Sequence, residues 1–287
     1  QRLVELATPP RVLLLTCGAL AAGASHAASD AAHGGAWGFA RVLRLEHAAL
    51  RTQSTDMSRG VSAASAIAAA SHVEAEAELA WGGGACFAAR LRPSEDARAS
   101  SGVAQLAAGV YAITGGLGGL GLRAATQLVD RGASRVLLAS RSGRVARGGQ
   151  GLAAQLDALG DRADVVACDC ADLRDVRALL ARGRRVVSVL HAAGTLRDGM
   201  LRSMANVDVE TSFAPKASAA SHLHGATSQT PLEAAALFSS VAATFGNVGQ
   251  ANYASANVYM DCTALGRRLS GRAWCSLQIA AVSGAGM

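Results

Sequence analysis

The chain has 287 residues, about half of them hydrophobic, and a net charge of +6. This length can bury a sizeable core, and a charged fraction of 17% is typical of a globular chain rather than a disordered one. Residues 1–108 hold nine arginines and nine acids, so the whole positive excess lies in the later part. That excess indicates either an arginine-rich solvated surface or an anionic ligand. No basic helix or groove combining aromatic and basic residues appears, which argues against nucleic-acid binding.

The six cysteines show neither metal-ligand spacing nor the framework of a small secreted domain. Cys168 and Cys170 stand too close together for a zinc pair at a strand end, so we expect no metal. All six are expected to be reduced thiols in the cytoplasm or another reducing compartment. The apolar run 12–15 is far too short to span a membrane. Because the chain starts at Gln1 without a signal peptide, we expect it to be a piece of something longer.

The polar stretch 92–109, which contains Pro93 and Gly102, predicts a domain boundary near residue 105. Before it the chain shows no nucleophile, acid–base pair or phosphate loop, which indicates a structural scaffold. The predicted elements of this part are a strand Val12–Thr16, a loop Ala21–Gly35, a helix Trp37–Leu50, a helix or strand end over Glu74–Leu79, and a strand Cys86–Leu91.

After the boundary, apolar runs alternate with helical stretches. The predicted strands are Val110–Thr114, Arg135–Ala139, Asp164–Ala167, Val186–Leu190, Ala235–Phe238 and Trp274–Ile279. The predicted helices are Leu120–Arg131, Leu152–Leu159, Leu173–Arg182, Val207–His224 and Gln250–Leu269. Unbroken Val, Leu and Ala strands with crossover helices predict an α/β fold, a doubly wound parallel sheet of the Rossmann type covered on both faces. Ligands of such sheets bind at the carboxyl ends of the strands.

A glycine-rich turn, Thr114-Gly-Gly-Leu-Gly-Gly-Leu-Gly121, follows the first of these strands and opens a helix. This context favours a dinucleotide site that includes Thr114 and Leu117. We expect Gly116 to permit the tight turn, Gly118 to admit the pyrophosphate, and Gly121 to pack helix on strand. The helix N-terminus then faces the phosphates. A merely tight strand-to-helix turn is the alternative.

The next strand ends at Ser140 and Arg141, where an acid would otherwise hold a ribose 2′-hydroxyl. Their presence favours a 2′-phosphate on the ribose, and therefore NADPH over NADH. The alternative is that Arg141 is an ordinary surface arginine. Asp169 and Cys170, at the third strand end, are expected to flank the adenine.

The fourth strand ends in His191-Ala-Ala-Gly194. The small residues Ala192, Ala193 and Gly194 would let the cofactor lie against the backbone. His191 itself is interpreted as a packed structural histidine rather than a general base.

Tyr253 and Asn257 stand four apart on a predicted helix, so they share one face. A phenol has a pKa of about 10, but an ammonium at roughly 4 Å can lower it by up to ~3 units. Lys216 is the chain's sole lysine and fits this role, because arginine's planar fork does not imitate a compact ammonium. Ser240, at a strand end, is placed to hold a substrate carbonyl. A core tyrosine is the alternative for Tyr253.

With these residues the chain resembles the ketoreductase domains of modular type I polyketide synthases, which are relatives of short-chain dehydrogenases and of the ketoreductase in animal-type fatty acid synthases. The resemblance rests on Tyr111-Ala-Ile-Thr-Gly-Gly-Leu-Gly-Gly-Leu-Gly121, Ser140-Arg-Ser142, His191-Ala-Ala-Gly-Thr-Leu-Arg-Asp198, and Phe238-Ser-Ser-Val with Gly249-Gln-Ala-Asn-Tyr-Ala-Ser-Ala-Asn257. Asn257 after Tyr253, with lysine drawn from the preceding helix, follows the swapped arrangement of this family. Residues 36–47 resemble the helix of its structural subdomain, a truncated dinucleotide-type fold that binds no cofactor.

The resemblance implies a catalytic tetrad of Lys216, Ser240, Tyr253 and Asn257, and NADPH as cofactor. It also implies a β-ketoacyl substrate on an acyl carrier protein, neighbouring synthase domains in the same polypeptide, a structural subdomain over 1–105 and a catalytic subdomain over 106–287.

Three departures from the family pattern are present. Ile279-Ala280 replaces the usual Trp-Gly, and the chain stops at Met287, before the helical lid. Of the two acids in the family's Leu-Asp-Asp signature the chain keeps only the last, Asp198. Phe245 stands where the opposite stereochemical class has tryptophan. With Gln250, these residues are interpreted as controlling substrate and stereochemistry, and they favour the D-configured (3R) alcohol.

Two other functions stay open: a catalytically silent cofactor-binding module that organises neighbouring domains, and a sugar-nucleotide epimerase or dehydratase of the extended reductase class. The second should carry lysine where Asn257 stands.

Overall fold

The structure is a computed structural model. It describes residues 2–20, 31–57, 62–73, 75–82, 84–93, 106–145, 150–182 and 185–282. These residues form two sheets, a four-stranded one followed along the chain by a six-stranded one.

The first sheet has the strand order β1-β2-β3-β4. Its first three strands are parallel and its fourth pairs antiparallel with β3. Its elements are β1 (Leu13–Cys17), α1 (Ala31–Glu46), β2 (Gln53–Met57), α2 (Ala63–His72), β3 (Glu78–Gly82) and β4 (Ala85–Phe87).

The strand β2 is polar in sequence and nevertheless buried. Asp56 is 2% exposed, and its carboxylate accepts hydrogen bonds from the Thr16 hydroxyl at 2.6 Å and from the backbone N–H groups of Ala19 and Leu20 at 2.9 and 3.0 Å. Buried polar groups are tolerated when they are satisfied in this way. The carboxylate therefore fixes the chain where it leaves β1.

The second sheet has the order β10-β9-β8-β5-β6-β7, with every neighbouring pair parallel. The order reverses between β5 and β8, the point at which doubly wound sheets bind ligands. Its strands are β5 (Val110–Thr114), β6 (Arg135–Ser140), β7 (Ala163–Ala167), β8 (Val186–His191), β9 (Ala234–Ser240) and β10 (Trp274–Ile279). Its helices are α3 (Gly119–Asp130), α4 (Leu152–Leu159), α5 (Leu173–Arg182), α6 (Asn206–Phe213), α7 (Ala219–Ala226), α8 (Ala242–Phe245) and α9 (Ala251–Leu269).

Both faces of the second sheet are covered by apolar side chains. On one face Ile113 and Leu138 pack against Leu122 of α3. On the other, Leu137 packs with Leu179 of α5 and neighbouring helices. The predicted Rossmann-type α/β fold is thereby confirmed.

We name the described residues from 2 to 93 the first unit and those from 106 to 282 the second unit. Helix α1 of the first unit packs directly on α9 of the second. A Cβ added to Gly38 would lie 2.6 Å from the carbonyl oxygen of Ala254. A further core cluster joins Trp37 of α1 to Val258 and Cys262 of α9. The two sheets are therefore linked through a tight helix pair.

Several predicted elements are wrong in part. The predicted loop Ala21–Gly35 is helical from Ala31 onward. Its glycines disfavour a helix in isolation, but here they let α9 pack closely against α1. Residues 21–30 lie outside the described residues. Helix α1 ends at Glu46, and a short 3-10 turn covers 48–50. The strand predicted over Cys86–Leu91 is β4, which ends at Phe87.

The predicted helix Val207–His224 is not continuous. A π-helical turn over Ala214–Ser218 separates α6 from α7. Pro215 explains the break, because proline lacks an N–H and clashes with the preceding turn of an α-helix. The predicted domain boundary near residue 105 stays a prediction, since residues 94–105 are outside the described ranges.

Candidate active site

The glycine-rich turn connects β5 to α3 at the point where the strand order reverses. Gly115 has a φ of 67°, and a Cβ there would lie 2.6 Å from the backbone of Ala193, which follows β8. A Cβ on Gly121 would collide with the carbonyl oxygen of Gly115. Only glycine permits this close approach of the two strand ends, although the positive φ belongs to Gly115 rather than to Gly116.

The N-terminus of α3 carries no side-chain cap. Gly118 is the N-cap residue, and a Cβ there would meet only the Gly115 oxygen, at 3.3 Å. The first N–H groups of the helix are thus available to an anion. Leu117 is fully buried in the core, so only its backbone faces the turn.

At the end of β6, the Ser140 hydroxyl is buried without a hydrogen-bond partner in the described structure. The neighbouring Arg141 side chain is exposed and forms no ion pair within the described ranges. An unsatisfied hydroxyl beside an unpaired guanidinium is the donor set that a phosphate group requires.

After β7, Asp169 is exposed and its carboxylate accepts a hydrogen bond from the Ala171 N–H at 3.0 Å. The Sγ atoms of Cys168 and Cys170 lie 3.7 Å apart, and both side chains pack in the core. The Cys170 side chain therefore does not face a ligand, which differs from the expectation that it flanks the adenine. In the described structure none of the six cysteines forms a disulfide bond.

His191 is fully buried between β5 and the π-helical turn. Its Nδ1 lies 2.6 Å from the Thr114 hydroxyl and its Nε2 lies 3.0 Å from the carbonyl oxygen of Lys216. Burial, followed by the charge of Lys216, lowers the pKa of His191 to about 4. A neutral ring that donates from Nε2 accepts at Nδ1, so the histidine ties Thr114 to Lys216.

Lys216 lies in the π-helical turn and is 3% exposed. Its ammonium donates to the carbonyl oxygen of Phe238 at 3.0 Å and lies 5.1 Å from the centroid of the Tyr253 ring. Burial lowers the pKa of Lys216 to about 8, while the carboxylate of Asp261 opposes this decrease. A buried ammonium thus faces the tyrosine, and it has N–H groups beyond the one bonded to Phe238.

Tyr253 is 7% exposed, and burial raises the pKa of its phenol. Hydrogen bonding with the side chains of Asn257 and Ser240 acts in the opposite direction, and the charge of Asp198 adds to the increase. The expectation that Lys216 lowers this pKa is therefore wrong for this arrangement. The ammonium lies over the ring face, bonded to Phe238, and desolvation of the phenolate dominates.

Asn257 and Ser240 complete the cluster. The Asn257 amide donates to the carbonyl oxygen of Tyr253 at 2.8 Å, and its Oδ1 is buried without a partner in the described structure. Ser240 ends β9, and its hydroxyl accepts from the Ala242 N–H at 3.2 Å. The fold brings together the four side chains that the sequence selects.

The outer edge of the cluster holds the residues assigned to stereocontrol. Gln250 donates to the Asp198 carboxylate at 3.0 Å, which joins the loop after β8 to the loop before α9. Phe245, the last residue of α8, is 59% exposed.

Within the described ranges, no group of three or more His, Cys, Asp or Glu side chains is arranged to hold a metal ion. Nor is any helix among those residues long and apolar enough to cross a bilayer.

The comparisons with known proteins agree on one family. The sequence family described as the KR domain matches residues 109–284. The polyketide synthase GfsA of Streptomyces halstedii is 38% identical over 87% of this chain, and the spectinabilin polyketide synthase system protein NorA' of Streptomyces orinoci is 40% identical over 92%. A solved structure described as A-type ketoreductases from a modular polyketide synthase is 34% identical, with a TM-score of 0.87, and covers 98% of this chain. This chain is a polyketide synthase KR domain.

The KR domain spans 3% and 7% of those two synthases and 60% of the solved chain. The relatives are large multidomain synthases, so this family occurs beside neighbouring synthase domains. KR domains are ketoreductases of the short-chain NAD(P)-dependent type.

Sequence reasoning missed two parts of this KR domain's site. Asp261 lies two turns after Tyr253, is mostly buried, and accepts from the side chains of Gln278 at 2.7 Å and of Ser276. The Asn252 amide donates to the carbonyl oxygens of Arg197 and Asp208 at 2.8 and 3.0 Å. The spacing 253, 257, 261 was a usable signal for Asp261, since it continues one helix face.

Proposed function

We propose that this KR domain reduces a 3-oxoacyl thioester on an acyl carrier protein to the 3-hydroxyacyl thioester, with NADPH as the reductant. One observation carries the proposal. The Lys216 ammonium, the Tyr253 phenol and the Ser240 and Asn257 side chains converge near a glycine turn whose helix is capped by no side chain of the described residues. In this proposal residues 1–105 are the structural subdomain and 106–287 the catalytic one.

The residues at the strand ends fit a dinucleotide with a 2′-phosphate. The free N–H groups of α3 suit the pyrophosphate, with Thr114, Gly116, Leu117 and Gly118 contributing backbone and Gly121 keeping the turn tight. Within the described ranges the Ser140 hydroxyl has no hydrogen-bond partner and Arg141 has no ion pair, so both suit the 2′-phosphate. Further contacts are assigned to Asp169, to the backbone of Cys170, and to Ala192, Ala193 and Gly194.

When bound, the reduced nicotinamide supplies a hydride to the β-carbon of the substrate. Ser240 donates a hydrogen bond to the carbonyl oxygen, and the Tyr253 hydroxyl transfers its proton to that oxygen as negative charge develops there. A phenol whose pKa is raised by burial stays protonated at neutral pH, which is the form that an acid requires. Lys216, which uses one of its N–H groups on the Phe238 carbonyl, would donate the others to the ribose hydroxyls of the nicotinamide. The buried Oδ1 of Asn257, which has no partner in the described structure, would accept from Lys216 or from a relay water.

The carrier protein and the stereochemistry belong to the same proposal. The net charge of +6 suits an acidic carrier protein. Asp198, Phe245 and Gln250 lie at the edge where the acyl chain enters, and we assign them to orienting the ketone toward the D-configured (3R) product. Chiral analysis of the product tests that assignment.

Replacing Tyr253 by Phe removes the proton donor and keeps the ring that packs beside Lys216. We expect turnover of a simple 3-oxoacyl thioester to fall at least 10³-fold, because general acid catalysis contributes roughly 10²–10⁴-fold, while the Kd for NADPH changes less than twofold. The measurement is NADPH oxidation together with fluorescence titration of the cofactor. Thioester reduction at the rate of the unsubstituted protein would refute the acid assignment.

A silent cofactor-binding module is the competing function. The intact cluster of four side chains argues against it, and Ile279-Ala280 in place of Trp-Gly argues for it. A chain that binds NADPH but oxidises none in the presence of thioester and carrier protein is such a module.

A further inference from the structure

Glu46 ends α1, the helix of the first unit that packs on α9. A carboxylate in the last turn of a helix opposes the helix dipole, which favours cations at that end. The half-buried Glu46 therefore has to gain its stabilisation from contacts outside its own helix.

Both carboxylate oxygens of Glu46 reach into the second unit. Oε2 accepts from the backbone N–H of Leu201 at 2.6 Å, and Oε1 accepts from the backbone N–H of Gly249 at 2.9 Å. These two N–H groups lie on different loops, which we name the β8 loop (residues 192–205) and the α9 loop (residues 246–250). One side chain of the first unit thus bridges two loops of the second.

The two loops are also bonded to each other next to this bridge. The Gly199 N–H donates to the carbonyl oxygen of Gly249 at 2.8 Å, and the Gln250 amide donates to Asp198 at 3.0 Å. Asp198 acts electrostatically on the Tyr253 phenol, and the α9 loop leads directly into the helix that carries Tyr253. The loop pair is therefore the outer wall of the cluster.

We propose that Glu46 is a positioning residue for the substrate, acting by clamping the β8 loop and the α9 loop in register at the mouth of the active site. The inference rests on the proposed function, because it assigns these loops to the acyl chain. It gives the first unit a role in substrate recognition, whereas the proposed function assigns the cofactor contacts to the second unit.

The chemistry of a carboxylate suits this clamp. Backbone N–H donors to a charged acceptor make short, strong hydrogen bonds, and one carboxylate offers both oxygens as acceptors. A glutamine of the same shape accepts through only one of its two head atoms. Its NH₂ group would face the other backbone N–H, so Glu46→Gln releases one of the loops without creating a cavity.

The test compares Glu46→Gln with a matched control, Glu76→Gln. Glu76 is also in the first unit but pairs with the exposed Arg90, away from the loops. For Glu46→Gln we expect kcat/KM for a 3-oxoacyl thioester to fall roughly tenfold, through KM more than kcat, with the NADPH Kd within twofold. The control should keep all three constants.

A second measurement does not depend on activity. Hydrogen–deuterium exchange of the peptide that covers Leu201 or of the peptide that covers Gly249 should be at least tenfold faster in Glu46→Gln than in Glu76→Gln. If the unsubstituted chain reduces no thioester, the proposed function fails while this exchange result still decides the clamp.

A double variant with Gln250→Ala separates positioning from general stability. Losses that are clearly less than multiplicative support a shared action through the α9 loop. Multiplicative losses, unchanged exchange, or a parallel loss of NADPH affinity would each overturn the proposal.

Discussion

At the scale of single residues, the decisive feature is an ammonium placed almost entirely out of water. Lys216 is held by the Phe238 carbonyl and by a backbone whose turn is fixed through His191. Burying a charge with one hydrogen bond costs stability, and the lowered pKa of Lys216 expresses that cost. The KR domain bears this cost at the point where the ammonium lies over the Tyr253 ring.

The cost of Lys216 predicts a pH dependence of stability. Its pKa falls from 10.5 in the unfolded chain to about 8 in the folded one. Between these values the unfolded state binds more protons, so this group makes stability rise with pH, by up to about 1.4 kcal/mol per unit. Relative to Lys216→Met, the unsubstituted protein should therefore gain unfolding free energy between pH 8 and pH 10.

Urea unfolding without cofactor at pH 7.5, 9 and 10 measures this gain. Taking the difference between the two proteins cancels groups distant from Lys216 that titrate in the window, such as Cys275. A difference that stays constant across the three pH values would show that Lys216 is not a buried ammonium.

At the scale of elements, the contact between α1 and α9 depends on where glycine stands. A Cβ on Gly38 would press into the backbone of Ala254 and Ser255, which cannot give way as a flexible side chain can. A Cβ on Gly35 would lie 3.6 Å from the Ser255 oxygen and 3.8 Å from Phe213, which is ordinary contact. Of these two glycines of α1, Gly35 therefore has room for a larger side chain and Gly38 does not.

Alanine substitution should separate these two glycines. Gly35→Ala should raise the unfolding free energy by up to about 1 kcal/mol, because alanine favours helix over glycine and the space is open. Gly38→Ala should lower it by about 1–3 kcal/mol, the usual cost of overpacking. Thermal unfolding of both variants gives the measurement, and equal shifts of the same sign would contradict the packing argument.

At the scale of the whole molecule, the strands of the second sheet were predictable from sequence, whereas in the first sheet only β1 and the start of β4 were. The strands β5 and β10 match their predicted bounds because a buried parallel sheet requires unbroken apolar runs. The strand β2 was not predicted, because most of its residues are Gln, Ser, Thr and Asp, and the hydrogen bonds that allow polar groups such as Asp56 to be buried form only in the folded chain. Most positions of the alanine-rich α2 are apolar, so its sequence does not distinguish the side on which Ala66 and Ala70 are buried.

The same limit applies to the site. Lys216, Ser240, Tyr253 and Asn257 carry a recognisable pattern along the chain, and the fold brings them together. The partners that the sequence missed, Glu46 and Asp261, act across more than one element. Only the three-dimensional arrangement gives a carboxylate at the end of α1 its two loop contacts.

This arrangement also predicts how the molecule unfolds. The core cluster around Trp37 contains residues of both units, and the side chain of Arg41 in α1 donates to the carbonyl of Ala243 in the second unit. Separating the units would expose that cluster and break these bonds. We therefore expect one cooperative transition, in which a ligand of the second unit stabilises the first unit equally.

Two variants test this expectation, and both keep Trp37 so that the shared cluster stays intact. One also keeps Trp81 in β3 and the other also keeps Trp274 in β10. Each is unfolded with and without NADPH, and the shift is taken against the same variant's own cofactor-free midpoint. At a cofactor concentration of 100 Kd the gain should be about 2.7 kcal/mol for both probes. A gain seen by Trp274 alone would mean that the first sheet unfolds independently, and a scaffold so weakly coupled would not position the loops around Tyr253.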